Sequence, residues 1–419
     1  MENEKRRAFP ESFGSPAPSS TMKLVEIDCG IPFLSEEIVF DILKRLPVKS
    51  LIRFRSVCSL WKNLINTPSF ISEHLGHSRR QNPSLVFQRN LVGDSLNLYL
   101  LDRDLHLRDV HIGPSIDSFR SARIVGSSNG LLCVQIDLRG VFPPTILLWN
   151  PAIREVKQVP RSRTINDFRF DCVLGFAFSP IVNDYKIVTT YAETGDVVSG
   201  VEVYSLSTNS WKGVEFTALE AISFLSDCVC VNGSIFWVTV KRGLAFDGGD
   251  DAYFIVSFDL AMEEFKLIAP PPLSRNIGAK LAVYEDRLAI LYYYCSNAVD
   301  SRHTFIDLWV ICDEGIGGGC DASLSWSKKF TRGPYPCYLH PLTIWRNQIV
   351  CDVFAIQTCE DEPGEEEKRS DEMKAGMYLF NLASDDFVVF DSDRYGDNHD
   401  VFGYFECLVP LSNIHIKKL

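Results

Sequence analysis

Histidine and cysteine, the side chains best suited to binding metals and transferring protons, are scattered along this chain of 419 residues. His74 and His77 lie three positions apart, but no matching cysteine or carboxylate cluster accompanies them. The thirteen cysteines contain no Cys-x-x-Cys pair, and their odd number does not suit a complete disulfide framework. We therefore expect free thiols, as in a reducing cytosol or nucleus, and neither a metal nor a cofactor.

Two further patterns could carry chemistry, and each is incomplete. Gly315–Gly319 lacks the Lys-Ser/Thr step that completes a phosphate-binding loop. Asn232-Gly233-Ser234 matches a glycosylation acceptor, but Asn-Gly between β-rich runs is a strong hairpin signal, because both turn positions need positive φ. The sequence thus favours a protein that binds over one that catalyses.

The overall charge and hydropathy narrow the classes of partner. A formal net charge of −12 disfavours nucleic acid, whose binding requires many Lys and Arg contacts with phosphates. No apolar run approaches the roughly 18 residues of a membrane-spanning helix. The first residues are charged and lead into a Ser/Pro-rich stretch, so we expect a disordered tail over residues 1–30, no secretory signal, and a cytoplasmic or nuclear location.

Residues 31–76 differ in character from the rest of the chain and predict three short helices. Apolar residues follow the i, i+3, i+4, i+7 rule from Val39 to Leu46, and Ser35 is a suitable N-cap. Pro47 ends this first helix, and the third helical pattern stops near Pro68. Three short helices enclose little core, so their surplus apolar side chains either contact a partner or pack on the domain that follows.

Several spaced aliphatic residues, a Leu-Pro break and a Val-Cys-x-x-Trp step coincide in residues 32–75. With this combination the segment resembles the F-box, the helical module by which substrate receptors dock onto the Skp adaptor of a cullin ubiquitin ligase. Two positions depart from the family, since Ser35 stands where it usually has Pro, and Ser59 where a basic residue commonly follows the Cys. The resemblance implies that the adaptor, and through it a cullin, binds Leu34, Ile38, Ile42, Leu43, Leu46, Pro47, Val48, Leu51, Val57, Cys58 and Trp61.

Beyond the helices, pairs of residues that each contain an aromatic recur at a nearly fixed step. Successive aromatic residues lie 50, 55, 54, 51 and 71 positions apart. Steps near 50 residues, each with about four short strands, are typical of propeller blades rather than of a β-helix or a sandwich. The six pairs are Leu98-Tyr99, Leu148-Trp149, Val203-Tyr204, Ser257-Phe258, Leu308-Trp309 and Leu379-Phe380.

Strand patterns predict five internal blades, and a sixth combines strands within residues 85–110 with Phe402–Val409 from the end of the chain. Such a closure removes the exposed sheet edges that invite aggregation. The expected fold is multidomain, α plus all-β, with a three-helix F-box over 31–76 and a β-propeller over 77–419. Six blades is the best count, with five or seven as alternatives.

Asn-Pro and Asp-Tyr-Lys steps recur within these repeats. With them, most of residues 120–411 is similar to the plant F-box-associated domain, whose kelch-like repeats are degenerate. The residues that carry this similarity are Ser128-Asn129-Gly130-Leu131, Leu148-Trp149-Asn150-Pro151, Gly175-Phe176, Asp184-Tyr185-Lys186, Val188, Val203-Tyr204-Ser205, Trp211 and Asn232-Gly233.

The predicted connections differ in length on the two faces of the disc. The first and third turns of each blade are short, apart from Cys312–Ser325, whereas the middle connections are long, as in Ala355–Gly376. Since binding function concentrates in long loops on a rigid scaffold, we expect a target protein on the long-loop side. The acidic run Glu360–Glu367, in a flexible loop expected at 358–375, is either a solvated insertion or an attractant for a basic target.

These features together predict a non-catalytic substrate-recognition subunit of a Skp–cullin–F-box ubiquitin ligase, with a target protein that the sequence does not identify. The helices would dock the adaptor, and the propeller would tether the target at high effective concentration. Two alternatives remain: an F-box scaffold that does not lead to degradation, and a propeller enzyme with a helical cap.

Overall fold

A computed structural model provides the architecture of the chain. The predicted tail over 1–30 and the acidic loop at 358–375 lie outside the described residues. No helix among the described ranges is long and apolar enough to cross a membrane. The structure describes residues 34–81, 83–89, 97–110, 119–138, 144–162, 173–191, 198–219, 222–224, 228–241, 252–272, 278–295, 303–312, 325–335, 337–354, 376–384, 386–391 and 399–411.

The N-terminal helical module contains four helices: α1 (Glu36–Lys44), α2 (Val48–Phe54), α3 (Ser59–Ile65) and α4 (Pro68–Gln81). The prediction of three helices was therefore incomplete. Pro68 begins α4 instead of only ending the preceding pattern, because the missing N–H of proline costs nothing in a first helical turn. The Oγ1 of Thr67 accepts the N–H of Phe70 at 3.3 Å and caps the new helix.

All remaining regular structure in the described chain is β, apart from one short 3-10 turn. The first twelve strands are β1 (Ser84–Arg89), β2 (Asn97–Leu101), β3 (Leu107–Val110), β4 (Phe119–Ser128), β5 (Leu131–Leu138), β6 (Thr145–Asn150), β7 (Glu155–Gln158), β8 (Val173–Ser179), β9 (Asp184–Tyr191), β10 (Gly200–Ser205), β11 (Ser210–Gly213) and β12 (Ile222–Phe224). The others are β13 (Val229–Val231), β14 (Ser234–Lys241), β15 (Ala252–Asp259), β16 (Glu264–Ile268), β17 (Gly278–Tyr284), β18 (Arg287–Cys295), β19 (Thr304–Cys312), β20 (Ser325–Tyr335), β21 (Tyr338–Trp345), β22 (Gln348–Phe354), β23 (Gly376–Asn381), β24 (Phe387–Asp391) and β25 (His399–Tyr404).

These strands form six antiparallel sheets, which confirms the six-bladed propeller. Blade 1 has the order β25-β1-β2-β3, so the last strand of the chain closes the ring, with Phe402 opposite Val86. This strand ends at Tyr404, five residues before the predicted end, and the residues after it have a different role. Blades 2, 3, 5 and 6 are β4–β7, β8–β11, β17–β20 and β21–β24. In blade 4 the innermost position is shared by two short strands, β12 and β13, which both pair with β14.

The core lies between the blades, with one buried apolar cluster for each neighbouring pair. Leu132 and Trp149 of blade 2, for example, pack with Val86 and Leu98 of blade 1. Strand β9 is buried along its whole length, although half of its residues are polar, because blades 2 and 4 cover its two faces. This packing makes the propeller a rigid scaffold for ligands of its two faces.

The strand order defines two faces of the disc. The short-turn face carries the connections between the first and second and between the third and fourth strands of each blade, counted outward from the axis. The long-loop face carries the connections between second and third strands, as from Phe354 to Gly376. Since β1 is the second strand of blade 1 and β25 its innermost, the chain enters the propeller and leaves it on the short-turn face.

A charged group joins blades 3 and 4 at the short-turn face. The Glu263 carboxylate accepts hydrogen bonds from Lys186 and Lys212, both at 2.7 Å, and Lys186 also donates to the Leu260 carbonyl. Burial alone would raise the pKa of the Glu263 carboxyl, but the two lysines outweigh it and hold this pKa below its usual value. Lys186 is buried, and the Glu263 carboxylate is its ion-pair partner.

Replacing Glu263 with glutamine is expected to lower the free energy of unfolding by about 3 kcal/mol at pH 7, because it leaves the Lys186 ammonium buried without a counter-charge. Since the folded-state pKa of Glu263 is lowered, its contribution is complete above the usual glutamate pKa and is lost as the pH falls through the lowered value. Urea unfolding between pH 3 and pH 8 measures both effects. The neighbouring exposed Glu264→Gln is the matched control, and equal stability of the two variants would contradict this account.

Candidate functional site

The first helix of the helical module is fixed at its start by a polar cap. The Ser35 Oγ accepts the N–H of Ile38 at 3.4 Å, so the N-cap expected from the sequence is confirmed. Glu36 and Glu37 occupy the first turn and Lys44 the last, an arrangement that complements the helix dipole. Helix α1 is therefore well defined over its nine residues. Its two faces differ in character.

The inner face of the module builds a small core. The ring of Phe40 meets that of Phe70 edge to face at 5.2 Å, and the Phe54 and Trp61 rings lie 5.3 Å apart. His74 is buried beside them, and its Nε2 donates to the Leu46 carbonyl at 3.0 Å. Burial lowers the pKa of His74, so this ring is neutral and structural. The fully buried members of the core are Leu43, Val48, Leu51, Ile65, Phe70 and Leu408.

The outer side leaves large apolar residues in contact with solvent. Leu34, Ile38 and Ile42 follow an i, i+4, i+8 spacing, while Val57 lies between α2 and α3 and Leu60 in the first turn of α3. These five residues, which we call the exposed apolar set, are 48% to 60% exposed. Apolar side chains concentrated in so small a module are typical of a protein-binding surface.

The structure divides the eleven predicted adaptor-binding residues into three groups. Leu43, Val48 and Leu51 are buried by the chain itself, so we reassign them from the binding surface to the core. Periodicity reveals an apolar face but does not say which residues of a thin helical layer its own domain covers. Leu60, absent from the predicted list, belongs to the exposed apolar set. Leu46 and Trp61 are half-buried, and Leu34, Ile38, Ile42, Pro47, Val57 and Cys58 are exposed.

The N-terminus of α2 is capped by a residue from the other end of the chain. Its N-cap position is Pro47, which offers no side-chain hydrogen bond. The Glu406 carboxylate accepts the Val48 N–H instead, at 3.2 Å and across 358 positions of sequence. A carboxylate at this position also complements the positive end of the helix dipole. The propeller domain thus completes a helix of the module.

Residues 405–411, which we call the C-terminal clamp, lie between the module and blades 2 and 3. Leu408 is inserted into the core of the module, whereas Cys407 and Leu411 belong to the core between the two blades. Asn150 Nδ2 donates to the carbonyls of Cys407 at 3.2 Å and Val409 at 2.8 Å. The sequence predicted residues 405–409 of this segment as the end of a strand, because their apolar side chains are also compatible with a strand pattern.

The hairpin turn at Asn129-Gly130 has a second role beneath the clamp. Gly130 adopts φ +78°, as the hairpin requires. A Cβ at this position would lie 2.4 Å from the Phe405 carbonyl oxygen, so the clamp passes where only a glycine fits. The turn predicted from the sequence is confirmed, and the close approach explains why a larger residue would not serve there.

Helix α4 is anchored to the same side of the disc. The Arg79 guanidinium pairs with Asp286, in the turn between β17 and β18. Arg103, in the turn between β2 and β3, donates to the Gln81 carbonyl at 3.1 Å. With the clamp, these contacts seat the helical module on the short-turn face. The long-loop face lies on the opposite side of the disc from the module.

One group of side chains in the described ranges has the donor types of a metal site. The ligand atoms of Asp102, Asp104 and His106 lie within 4.8 Å of one another. Asp102, however, already accepts the backbone N–H groups of Asp104 and His106 and a hydrogen bond from Arg108. We assign the group to stabilising the tight turn between β2 and β3.

Gly126-Ser127-Ser128-Asn129-Gly130 has the Gly-x-Ser-x-Gly spacing of a nucleophile elbow, but it does not have the structure of one. An elbow places its serine between a strand and a helix, whereas these residues join β4 to β5. The Ser128 Oγ accepts the Phe178 N–H at 3.0 Å, a contact between blades 2 and 3. The pattern therefore belongs to the propeller hairpin.

The nine cysteines in the described part of the chain are all free. Burial raises the pKa of the Cys407 thiol to about 12 and that of Cys337 to about 11, so both remain protonated and unreactive at neutral pH. These thiols act as small apolar residues of the blade cores.

The comparisons with known proteins agree with this two-part architecture. The profile of the F-box domain matches residues 31–73, and that of the F-box associated β-propeller domain matches residues 97–362, more than half of the chain. The chain belongs to the F-box-associated β-propeller family. In this family the helical module is an F-box, which we call it from here on.

Relatives of this F-box-associated propeller protein come from Arabidopsis thaliana. The F-box protein CPR1 is 26% identical over 324 residues, covering 70% of this chain and 72% of the relative. A putative F-box/kelch-repeat protein is 25% identical over 403 residues, covering 92% of this chain and 97% of the relative. Among solved structures, hydrazine synthase of Kuenenia stuttgartiensis matches with 11% identity and a TM-score of 0.44, covering 78% of this chain and 47% of that one. A TM-score this low supports no argument on function.

Proposed function

We propose that this protein is the substrate receptor of a Skp–cullin–F-box ubiquitin ligase. In this role the F-box binds a Skp-type adaptor, which links it to a cullin, and the long-loop face binds a target protein in the cytoplasm or nucleus. The receptor itself performs no bond-making step. Its contribution is to hold a target beside the ubiquitin carrier, which raises the effective concentration of target lysines.

The observation that carries this proposal is the exposed apolar set on an F-box that is otherwise tightly fixed to its own propeller. The module buries one side in the C-terminal clamp, and its other side keeps Leu34, Ile38, Ile42, Val57 and Leu60 accessible. An N-terminal cap that served only the propeller would have no use for five accessible apolar residues. A second protein that covers them would gain their burial, at about 25 cal/mol for each Å² of apolar surface.

The arrangement of the two faces suits a receptor. Because the F-box is seated on the short-turn face, an adaptor bound there leaves the long-loop face free for a target. The contacts of Glu406, Leu408 and Arg79 restrict swivelling between the two binding surfaces. Rigid attachment makes tethering more effective, since less orientational freedom is lost when the carrier meets the target.

The test compares the full chain with the double variant Ile38→Asp and Ile42→Asp in cells, with the proteasome inhibited. Partners captured by the unmodified chain are expected to carry ubiquitin, and adaptor and cullin are expected to co-purify with it. Partners captured by the variant are expected to lose most of that ubiquitin while remaining bound, because the long-loop face is unchanged. Equal ubiquitin on both sets of partners would reject the receptor role and favour a non-degradative F-box scaffold.

A further inference from the structure

Two aromatic rings lie side by side where blade 6 meets the long-loop face. Tyr338 begins the innermost strand, β21, and Phe354 ends the next strand, β22. The two residues are directly opposite in the strand register, and their ring centroids lie 5.9 Å apart. Tyr338 is 42% exposed, although most large aromatic residues of the propeller are covered by neighbouring blades. The two ring planes are tilted by 53°, and the pair presents an accessible aromatic surface on a rigid base.

The residues beside the ring pair come from the inner strands of blades 5 and 6. Tyr293 contacts the His340 ring at 5.3 Å, and burial, with a smaller effect of Tyr338, raises the pKa of Tyr293 to about 12. Burial and the nearby Lys280 lower the pKa of His340, against the opposing effect of Asp352, so the imidazole is neutral at neutral pH. The charged groups in the described part of the chain that act on His340 are thus one ammonium, on Lys280, and one carboxylate, on Asp352.

The sequence attached to the ring pair is strongly acidic. Residues 355–375, which follow Phe354, contain eight Asp or Glu and three Lys or Arg. The connection 242–251, which leads into β15 of blade 4, contains three Asp and one Arg. Both segments lie outside the described residues. Their composition attracts cationic partners to this part of the long-loop face and repels anionic ones.

We propose that the ring pair of Tyr338 and Phe354 is the subsite for an arginine or lysine side chain of a basic, extended segment of the target protein. This inference rests on the proposed function, since it names the class of target that the long-loop face takes. An aromatic face attracts a guanidinium or ammonium group through its quadrupole, and the rings supply apolar contact for the aliphatic part of the side chain. The Lys280 ammonium repels such a cation. The cation therefore lies over blade 6 and away from the inner strand of blade 5, which carries Lys280.

Fluorescence polarisation of the full chain with two labelled 12-residue peptides tests the proposal. One peptide alternates Arg and Lys with Gly and Ser, and the other replaces every basic residue with Glu. The basic peptide is expected to bind and the acidic one not to bind. Tyr338→Ala is expected to weaken the basic peptide about fivefold to tenfold. The matched control is Tyr253→Ala, which removes a tyrosine that is 49% exposed at the start of β15 on the same face.

Neutralising Lys280 distinguishes a cationic ligand from an anionic one. Lys280→Met is expected to tighten the basic peptide, whereas it would weaken an acidic ligand that used Lys280 as its counter-charge. Preferential binding of the acidic peptide, absence of binding by either peptide, or equal losses in Tyr338→Ala and Tyr253→Ala would overturn the proposal. Adaptor capture is measured on the same preparations. Failure to capture the adaptor counts against the proposed function, whereas failure to bind the basic peptide with adaptor captured counts only against this subsite.

Discussion

Replacing Ile38 and Ile42 together with aspartate is expected to reduce the affinity for a Skp-type adaptor by at least about 100-fold. Both side chains are half exposed on one edge of α1, so each can be fully covered by a partner. Loss of a central apolar contact in an interface costs about 2 kcal/mol or more. The two introduced aspartates add the free-energy cost of removing their carboxylates from water when the adaptor covers them. Because neither residue belongs to the core of the F-box, the free energy of unfolding should change by less than about 1 kcal/mol.

Titration calorimetry of purified full-length chain with purified adaptor measures this affinity, and urea unfolding of the same samples measures stability. The matched control is Ile181→Asp, which places the same charge on a side chain that is 77% exposed in the β8–β9 turn of the propeller. The control should bind the adaptor like the unmodified chain. Unchanged binding by the α1 double variant would remove the exposed apolar set from the adaptor interface.

Shortening Leu408 to alanine is expected to lower the free energy of unfolding of the F-box by about 2 to 5 kcal/mol, although residue 408 lies at the far end of the chain. Leu408 is 1% exposed and packs with the buried residues of the F-box, so its removal leaves a cavity there. The variant should also bind the adaptor more weakly, because the helices that present the exposed apolar set lose part of their support. Few single substitutions in the propeller are expected to affect the F-box as much.

Urea unfolding followed by hydrogen exchange of α1 to α4 measures the effect, with Leu267→Ala as control. Leu267 lies on the outermost strand of blade 4 and is 42% exposed, so the same truncation there should cost little. A related pair of variants measures the contribution of the α2 cap to stability. Glu406→Gln keeps an acceptor for the Val48 N–H, whereas Glu406→Ala removes it. Loss of such a cap costs about 1 kcal/mol. Faster exchange in α2 for Leu267→Ala than for Leu408→Ala would contradict the clamp.

The six-bladed fold was predictable because its signals are local. Asn129-Gly130 and Asn232-Gly233 specify hairpins within a few residues, and the recurring aromatic pairs repeat that information for each blade. Closure by the C-terminal strand followed from the need to pair the edge of an incomplete first blade. The presence of α4 also had a local signal, because Thr67 followed by Pro68 is typical of a helix start as well as of a helix end.

The attachment of the F-box was not predictable in the same way, because it depends on contacts between distant parts of the chain. The bond from Val48 to Glu406 spans 358 positions, and no pattern near either residue indicates the other. For the same reason the sequence could not divide the predicted adaptor residues into exposed and buried groups. Leu43 and Ile42 are neighbours of similar hydropathy, and only the packing of Leu43 with Phe70 of α4 and Leu408 of the clamp decides that it is covered.

Hydrogen–deuterium exchange of the full chain, with and without purified adaptor, reports on both binding faces in one experiment. We expect slower exchange in α1 and at the start of α3 when adaptor is added, with unchanged exchange at the strand ends around Tyr338 and Phe354. Protection of those strand ends, or no change in α1, would contradict the assignment of the adaptor to the F-box and of the opposite face to a target.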